Sequence, residues 1–243
     1  MSNTSKVTAA LAFLDRCADE PDANVVVERF MATIGEFGFE VAAAGAWIGV
    51  GGARAHRFYF NTWPKDWLAL YEARQFFVND PMVLETRRRM TPFLWSEMTD
   101  SGSFTREGIE VVTAGRAYGW MEVLGFPIHG PASYQGLVSL AARTSLTLSA
   151  SDRALLRTVA LAVHDRLHAS TGPSEITPPD VQLTRREVDC MRWVAAGKTD
   201  AEIGAILGVA APTVHYHVER VKKKFKTSSR TEAVAYLTLA GTI

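Results

Sequence analysis

Apolar residues in the last quarter of the chain recur at helical spacing in four short runs. In the clearest run, Val214, Val218, Val221 and Phe225 return every three or four residues, with polar residues between them. This spacing places the apolar side chains on one face of a helix. The other runs are Val188, Met191, Val194 and Ala195; Ile203, Ile206 and Leu207; and Val234, Leu237 and Leu239. The pattern predicts four helices between residues 181 and 243.

Three of these helices share one start signal. A hydroxyl residue is followed three positions later by glutamate in Thr184–Glu187, Thr199–Glu202 and Ser229–Glu232. In a capping box the hydroxyl accepts a hydrogen bond from an N-terminal backbone N–H, and the glutamate reaches back to the cap residue. Gly197 and Gly208 follow the first two runs and predict where those helices end.

The first 170 residues contain both strand-like and helix-like patterns of apolar residues. Apolar segments predict strands at 42–50, 56–61, 121–128 and 136–143. Amphipathic segments predict helices at 5–18, 23–36, 65–75, 103–118 and 150–169. Between this part and the last four helices lies a segment, 170–180, with three prolines and a glycine. Such composition is typical of a linker, so we expect domains at 1–172 and 181–243, joined by 173–180.

The overall charge conceals a difference between these domains. The chain of 243 residues has 26 Lys and Arg against 26 Asp and Glu, which alone argues against a nucleic-acid partner. Residues 1–175, however, carry 16 cations against 19 anions, and residues 176–243 carry 10 against 7. Six of those cations fall between Arg220 and Arg230 without an acidic residue. A local basic cluster of this kind suits phosphate contacts.

Two short helices, a tight turn at Gly208 and a third helix with a basic end form the pattern of a helix-turn-helix. The third helix would bury its valines and turn the remaining residues outward. Residues near the start of this helix are positioned to contact the edges of bases. The cations near its end are positioned to contact phosphates. Our DNA-binding candidates are Thr213, His215, Tyr216, Glu219, Arg220, Lys223 and Lys224. The alternative is a solvated basic face on an ordinary helical bundle.

The segment LTRREVDCMRWVAAGKTDAEIGAILGVAAPTVHYHVERVKKKFKTSSRTEAVAY closely resembles the C-terminal DNA-binding domain of LuxR-type transcription regulators. The matching positions are Glu187, Gly197, Lys198, Glu202, Ile203, Thr213, Val214, His217, Lys224, Arg230 and Ala233. One position differs: the family usually opens the recognition helix with serine, and here Ala210 stands there. An absent N-cap side chain costs about 1 kcal/mol, partly offset by Pro212 in the first turn.

The N-terminal part resembles the branch of this family that senses acyl-homoserine lactones. The order and spacing of Trp67, Tyr71, Asp80-Pro81 and Trp95 match that branch, as do 126–130 and 136–139. The other main branch carries a phosphate-receiver domain, and residues 1–120 lack its acidic cluster. The resemblance implies an α+β protein. Its N-terminal domain would be an α/β/α sandwich with an antiparallel sheet, followed by an all-α, four-helix helix-turn-helix domain.

Donor and acceptor chemistry agrees with the ligand site that the resemblance implies. Trp67 can only donate, which suits the lactone carbonyl; ionised Asp80 can only accept, which suits the amide N–H. The hydroxyl of Tyr71 or Ser139 suits the acyl carbonyl, and Trp95 suits an apolar wall. Taken singly, the tryptophans could be core residues and Asp80 a turn cap.

Two departures from the family concern the size of the ligand. Trp63 stands where a tyrosine commonly bonds the acyl carbonyl, and Val123 stands where glycine is usual. Both put bulk into the expected cavity. We therefore expect a compact acyl group, which would be short, branched or aryl. The predicted ligand-binding set is Trp63, Trp67, Tyr71, Asp80, Trp95 and Ser139.

The function expected from these features is a cytoplasmic transcription factor that binds a homoserine lactone and, as a dimer, an inverted repeat in double-stranded DNA. Leu155, Val159 and Val163 form an apolar stripe that could belong either to the dimer contact or to the core. We expect no catalytic residue, metal, cofactor or membrane contact. A ligand-independent or signal-inhibited regulator, a receptor for a different small molecule and a lactone-hydrolysing enzyme are the alternatives.

Overall fold

The computed structural model describes residues 3–50, 53–100, 104–130, 134–170, 182–239 and 242–243. The chain divides into two compact units, described here one at a time. The N-terminal unit comprises the described residues within 1–47, 56–129 and 135–172, and the C-terminal unit comprises the described residues within 48–55, 130–134 and 173–243. The linker predicted at 173–180 lies outside the described residues, and none of the described helices is long and apolar enough to cross a membrane.

A five-stranded sheet organises the N-terminal unit. Its strands are β1 (Val41–Val50), β2 (Ala53–Asn61), β3 (Phe93–Leu94), β4 (Glu122–His129) and β5 (Gln135–Ala142), in the order β2-β1-β5-β4-β3. β5 pairs antiparallel with both of its neighbours, so that Ser139 lies opposite Ala43 on one side and Gly125 on the other. All four predicted strands are present, and the antiparallel arrangement is confirmed.

Both faces of the sheet are covered, as the alternation of side chains along β5 shows. Leu137, Ser139 and Ala141 face a cavity, whereas Val138 and Leu140 are fully buried on the opposite face. The elements that pack on the sheet are helices. The predicted α/β/α sandwich is therefore confirmed.

One helical layer consists of α1 (Asn3–Cys17), α2 (Ala23–Gly35) and α7 (Ala150–Ser170), which pack against one another. The other contains shorter elements: α3 (Lys65–Ala73), a 3-10 helix (Phe76–Val78), α4 (Pro81–Thr86), α5 (Trp95–Asp100) and α6 (Arg106–Ala117). The sequence pattern predicts α3 and α6 slightly too long. It misses the 3-10 helix, α4, β3 and α5, which have two to six residues each.

The apolar stripe of α7 belongs to the core of the N-terminal unit. Val159 and Val163 are completely buried within the chain, so they are not available to a partner subunit, while Leu155 is half-buried. His164 is also buried, and its ring stacks on that of His168 at 5.9 Å. By sequence alone, the i, i+4 spacing of His164 and His168 favours a solvated or dimer-facing stripe, and the burial of His164 shows that this interpretation is wrong for that residue.

Four helices form the C-terminal unit: α8 (Arg185–Ala195), α9 (Asp200–Leu207), α10 (Ala211–Phe225) and α11 (Arg230–Leu239). The capping boxes Thr184–Glu187 and Thr199–Glu202 are complete. At α11 the Ser229 hydroxyl accepts from the Glu232 N–H, but the Glu232 carboxylate bonds to Ser228 and not to Ser229. The third predicted capping box is therefore incomplete, because the glutamate side chain bonds to the residue before the predicted cap.

The turn between α9 and α10 depends on close backbone contact. Gly208 ends α9 with a positive φ of 65°, and the Val209 N–H donates to the Gly204 carbonyl at 2.9 Å. A Cβ added at Gly204 would lie 2.6 Å from the Val209 carbonyl oxygen and 3.3 Å from the Ala211 nitrogen. Because both atoms belong to the backbone, they cannot move aside as a flexible side chain would.

Gly204→Ala should therefore destabilise the C-terminal unit by about 2 kcal/mol, the usual scale of overpacking. Amide hydrogen exchange of peptides from 200–225 in the full chain measures this change. Gly35→Ala is the matched control, because a Cβ there meets no atom within 4 Å; it should leave stability unchanged or raise it slightly. Equal exchange in Gly204→Ala and the wild type would contradict the steric argument.

Candidate functional sites

A cavity in the N-terminal unit lies between the sheet and the layer that contains α3 and α4. All six predicted ligand-binding residues line it: Trp63, Trp67, Tyr71, Asp80, Trp95 and Ser139. Its volume of about 70 Å³ is several times what one water molecule requires. The cavity thus brings together members of the predicted set that are up to 76 positions apart in the chain, from Trp63 to Ser139.

Asp80 occupies the most constrained position in the wall of this cavity. It is the N-cap of α4, where its Oδ1 accepts from the Met82 N–H at 2.8 Å, and Pro81 follows in the first turn. Its Oδ2 accepts from the Tyr71 hydroxyl at 2.6 Å. Both the cap and the phenol hold the carboxylate in one orientation, and only 7% of the residue is exposed.

Burial governs the titration of this pair. Burial raises the pKa of Asp80, although the hydrogen bonds from Tyr71 and the Met82 N–H act in the opposite direction. The pKa of Tyr71 is raised well above its usual value, first by burial and then by the Asp80 charge. Tyr71 therefore remains a proton donor to Asp80. Since an ionised carboxylate accepts about four hydrogen bonds, Asp80 retains capacity for a further N–H donor.

Aromatic rings form the wall next to the carboxylate. The ring of Trp63 lies 5.2 Å from that of Tyr71 and 6.4 Å from that of Trp67, and Trp67 lies 5.2 Å from Tyr118. These separations are typical of packed aromatic pairs. The Trp63 ring thus forms part of the cavity wall beside Trp67 and Tyr71.

The opposite part of the wall comes from the sheet and α6. Trp95 and Val123 belong to one buried cluster, and Gly115 makes room for the Trp95 ring, which lies 2.6 Å from where a Cβ would be. The Ser139 hydroxyl donates to the Ala43 carbonyl at 3.5 Å, at the upper limit of a hydrogen bond. A better acceptor could therefore attract this hydroxyl.

Several wall residues are absent from the sequence-based set. Leu137 and Ala141 could have been found from Ser139 alone, because alternate residues of a strand share a face. Met82 and Val83 lie on α4, whose six residues give no periodic signal. The remaining residues missed by the sequence are Ala43, Gly45, Ala46, Arg57, Phe58, Phe77, Val111 and Trp120.

The second candidate site is the outward face of α10 in the C-terminal unit. Val214, Val218, Val221 and Phe225 are buried, as predicted. Five of the DNA-binding candidates are exposed: Thr213, His215, Tyr216, Arg220 and Lys223. Glu219 is half-buried and accepts from Lys222 at 2.7 Å. The arrangement offers a polar start and a basic end on one helix face.

Lys224 is turned away from this outward face. Its ammonium group donates to Glu187 at 2.7 Å and to the Gln182 carbonyl at 3.0 Å. Glu187 is fully buried and also lies 3.4 Å from Arg220. Burial alone would raise the pKa of Glu187, but hydrogen bonds from Lys224 and Thr184 outweigh it, and the pKa is lowered. Lys224 thus joins the end of α10 to the start of α8.

At the other end of α10, His215 is held by a carboxylate from α9. Its Nδ1 lies 3.3 Å from Asp200 Oδ2, and the other oxygen, Asp200 Oδ1, accepts from Arg230 Nη1 at 3.1 Å. Arg230 Nη2 in turn donates to the Lys198 carbonyl at 3.1 Å. The helix start is thereby linked to both α9 and α11.

Comparison with known protein families accounts for both units. Residues 6–167 match the model of the autoinducer binding domain, and residues 181–237 match that of bacterial regulatory proteins of the luxR family. The chain belongs to the LuxR family. It is a DNA-binding regulatory protein with an autoinducer-binding domain, and the members of this family are transcription regulators and not enzymes.

Curated LuxR-family relatives extend over most of the chain. The HTH-type quorum sensing-dependent transcriptional regulator RpaR of Rhodopseudomonas palustris is 29% identical over 237 residues, which are 96% of this chain and 94% of that protein. The transcriptional activator protein BjaR1 of Bradyrhizobium diazoefficiens is 30% identical over 217 residues, 88% of this chain and 86% of that protein.

Solved structures show the same LuxR-family fold at lower identity. SdiA in complex with octanoyl-rac-glycerol has a TM-score of 0.69 at 19% identity and covers 99% of this chain and 97% of its own. The N-acylhomoserine lactone dependent factor CepR2 of Burkholderia cenocepacia has a TM-score of 0.53 at 17% identity, covering 68% of this chain and 95% of its own.

The described parts of the chain contain no group of three His, Cys, Asp or Glu side chains that could hold a metal ion. Cys17 and Cys190 are both buried free thiols.

Glu187→Gln should destabilise the C-terminal unit by about 2 kcal/mol at neutral pH. This is below the usual cost of breaking a buried pair, because about a quarter of the Lys224 side chain is exposed. The pKa of Glu187 is lowered in the folded state. Its contribution to the free energy of unfolding is therefore complete above its unfolded pKa, about 4.3, and is lost as the pH falls through the folded pKa. Urea unfolding of both proteins across this pH range measures the difference.

The control for this measurement is Glu219→Gln, which removes a more exposed ion pair within α10 and should cost less than about 1 kcal/mol. If the difference in unfolding free energy between the wild type and Glu187→Gln stayed constant from pH 7 to pH 3, the lowered pKa of Glu187 would be contradicted.

Proposed function

We propose that this protein is a transcription factor that binds a homoserine lactone signal and, as a homodimer in the cytoplasm, regulates promoters with an inverted repeat. The observation that carries the ligand assignment is the cavity in which Trp67, Asp80 and Ser139 meet. The division into a sensor at 1–172, a linker at 173–180 and a DNA-binding domain at 181–243 is part of this proposal.

Each polar group of a homoserine lactone conjugate has a matching partner in the cavity. The Trp67 indole N–H donates to the lactone carbonyl, and Asp80 accepts the amide N–H. Because Tyr71 gives its only proton to Asp80, Ser139 is the better donor to the acyl carbonyl. Its bond to Ala43 is long, at 3.5 Å, and is readily exchanged for a shorter one. Leaving any of these polar groups unpaired would cost about 1–3 kcal/mol.

The DNA assignment is supported by the outward face of α10. Thr213, His215 and Tyr216 face outward at its start, where base edges would lie, and Arg220 and Lys223 are exposed further along for phosphates. A two-fold dimer presents two such helices and so favours an inverted repeat. Ligand binding stabilises the sensor by mass action, and linkage then changes the population of the DNA-competent dimer.

A receptor for a different small molecule is the second candidate. It is favoured by the solved complex of the fold relative SdiA with octanoyl-rac-glycerol. Glycerol esters lack the amide N–H of a homoserine lactone and can offer Asp80 only their free hydroxyls as donors. Direct comparison of a homoserine lactone with a glycerol ester of the same acyl group therefore separates the two candidates.

Trp67→Phe removes the indole N–H and preserves most of the apolar wall. We expect this variant to bind a short-chain homoserine lactone about tenfold more weakly, since one buried donor is lost. Isothermal titration measures the affinity, and gel shifts with and without ligand show whether the signal promotes or inhibits DNA binding. Trp193→Phe, in the C-terminal unit, is the matched control. Unchanged affinity in Trp67→Phe would contradict the assigned role.

The bulk of Trp63 and Val123 predicts the size of the acyl group. Across a chain-length series, short, branched or aryl homoserine lactones should bind more tightly than those of ten or more carbons. Val123→Gly should move this preference toward longer chains, because it adds space to the cavity wall. Ala141→Gly, on the neighbouring strand, removes only one methyl group and should change the preference little. Preference of the wild type for the longest chains would overturn the prediction.

A further inference from the structure

His215 is an exposed side chain on the outward face of α10 that lies next to a carboxylate from α9. It lies just after the start of the helix, next to the buried Val214, and 65% of its side chain is exposed. A residue at this place meets the edges of bases when a recognition helix enters the major groove. Its hydrogen-bonding character therefore bears on which bases are selected.

Asp200 determines which nitrogen of the His215 ring carries the proton. The carboxylate oxygen Oδ2 lies 3.3 Å from Nδ1, and an ionised carboxylate only accepts hydrogen bonds. The negative charge beside Nδ1 favours the neutral tautomer that carries its proton on this nitrogen, which leaves Nε2 as an acceptor. The orientation of Asp200 is itself fixed, because Arg230 Nη1 donates to its second oxygen at 3.1 Å.

We propose that His215 recognises an exocyclic amino group in the major groove, adenine N6 or cytosine N4, and that Asp200 is the positioning residue that sets this preference. Adenine and cytosine present amino donors in that groove, whereas guanine and thymine present only acceptors at their edges. This inference rests on the proposed function, since α10 must enter the major groove for Nε2 to reach a base.

The geometry also predicts how the preference can be inverted. In Asp200→Asn the amide oxygen stays with Arg230, because a guanidinium only donates. The amide nitrogen then faces His215 and donates to Nδ1. The ring proton moves to Nε2, which becomes a donor and selects guanine or thymine on the contacted strand. A purely structural role for Asp200 would weaken binding without exchanging one class of base for the other.

The experiment is a selection of duplexes from a randomised library with the full-length protein, with and without a short-chain homoserine lactone. Binding constants are then measured for the selected duplex and its single-base variants. In the wild type, one base pair in each half-site should be favoured over its strand-reversed form, A·T over T·A or C·G over G·C, by roughly tenfold, the usual effect of one mismatched base pair. His215→Ala should abolish this preference and leave the other positions unchanged.

Two further variants make the result specific. Asp200→Asn should place guanine or thymine on the strand that carries adenine or cytosine in the site preferred by the wild type, and circular dichroism confirms that the variant is folded. Lys223→Ala is the matched control on the same helix. It removes an exposed cation placed for phosphates and should weaken all duplexes equally.

A position that depends on His215 but does not distinguish a base pair from its strand-reversed form would overturn the inference. So would base preferences that His215→Ala leaves intact, or a folded Asp200→Asn that keeps the wild-type preference. Failure to enrich any duplex would instead overturn the proposed function, and this outcome is distinguishable because it precedes every comparison between variants.

Discussion

The need to satisfy a buried carboxylate shapes the ligand cavity. Asp80 is almost completely shielded from water, where an unpaired charge would be very costly. Two donors compensate for the burial, the Met82 N–H at the start of α4 and the Tyr71 hydroxyl from α3. The short α4 and the longer α3 are therefore fixed relative to each other through one side chain. The aromatic wall between them follows from that arrangement, because Trp63, Trp67 and Tyr71 lie on the same side of α3 and its approach.

Carboxylates serve the same organising purpose in the C-terminal unit, but they are compensated differently. Glu187 is buried and is satisfied by Lys224 and the backbone of Thr184. Asp200 is partly exposed and connects Arg230 with His215. The first fastens the end of α10, and the second orients a side chain at its start. Two charges thus determine which residues of one helix remain free to face a partner.

Sequence patterns predict most of the regular structure here because the long elements carry strong periods. Four of the five strands of the sheet and the helix α10 follow from apolar spacing, and α8 and α9 follow from apolar spacing together with their capping residues. The 3-10 helix, α4 and α5 escape prediction because six residues or fewer do not complete two helical turns. The ligand set could be predicted from a family resemblance supported by donor and acceptor chemistry. Side-chain direction was harder to foresee: Lys224 and His164 look exposed by spacing, but each is covered by a residue distant in the chain.

The missing side-chain cap at the start of α10 affects the stability of this helix outside the domain. Ala210 makes no side-chain cap bond, so the helix lacks the local signal that begins α8 and α9. A helix of 15 residues without a cap gains little from its own sequence, and isolated helices of this length are marginal in water. Its order must come from the valines that it buries against its neighbours. The surface that would read DNA is thus a property of the assembled domain, and a peptide with the sequence of α10 would exist in water mainly as an unstructured chain.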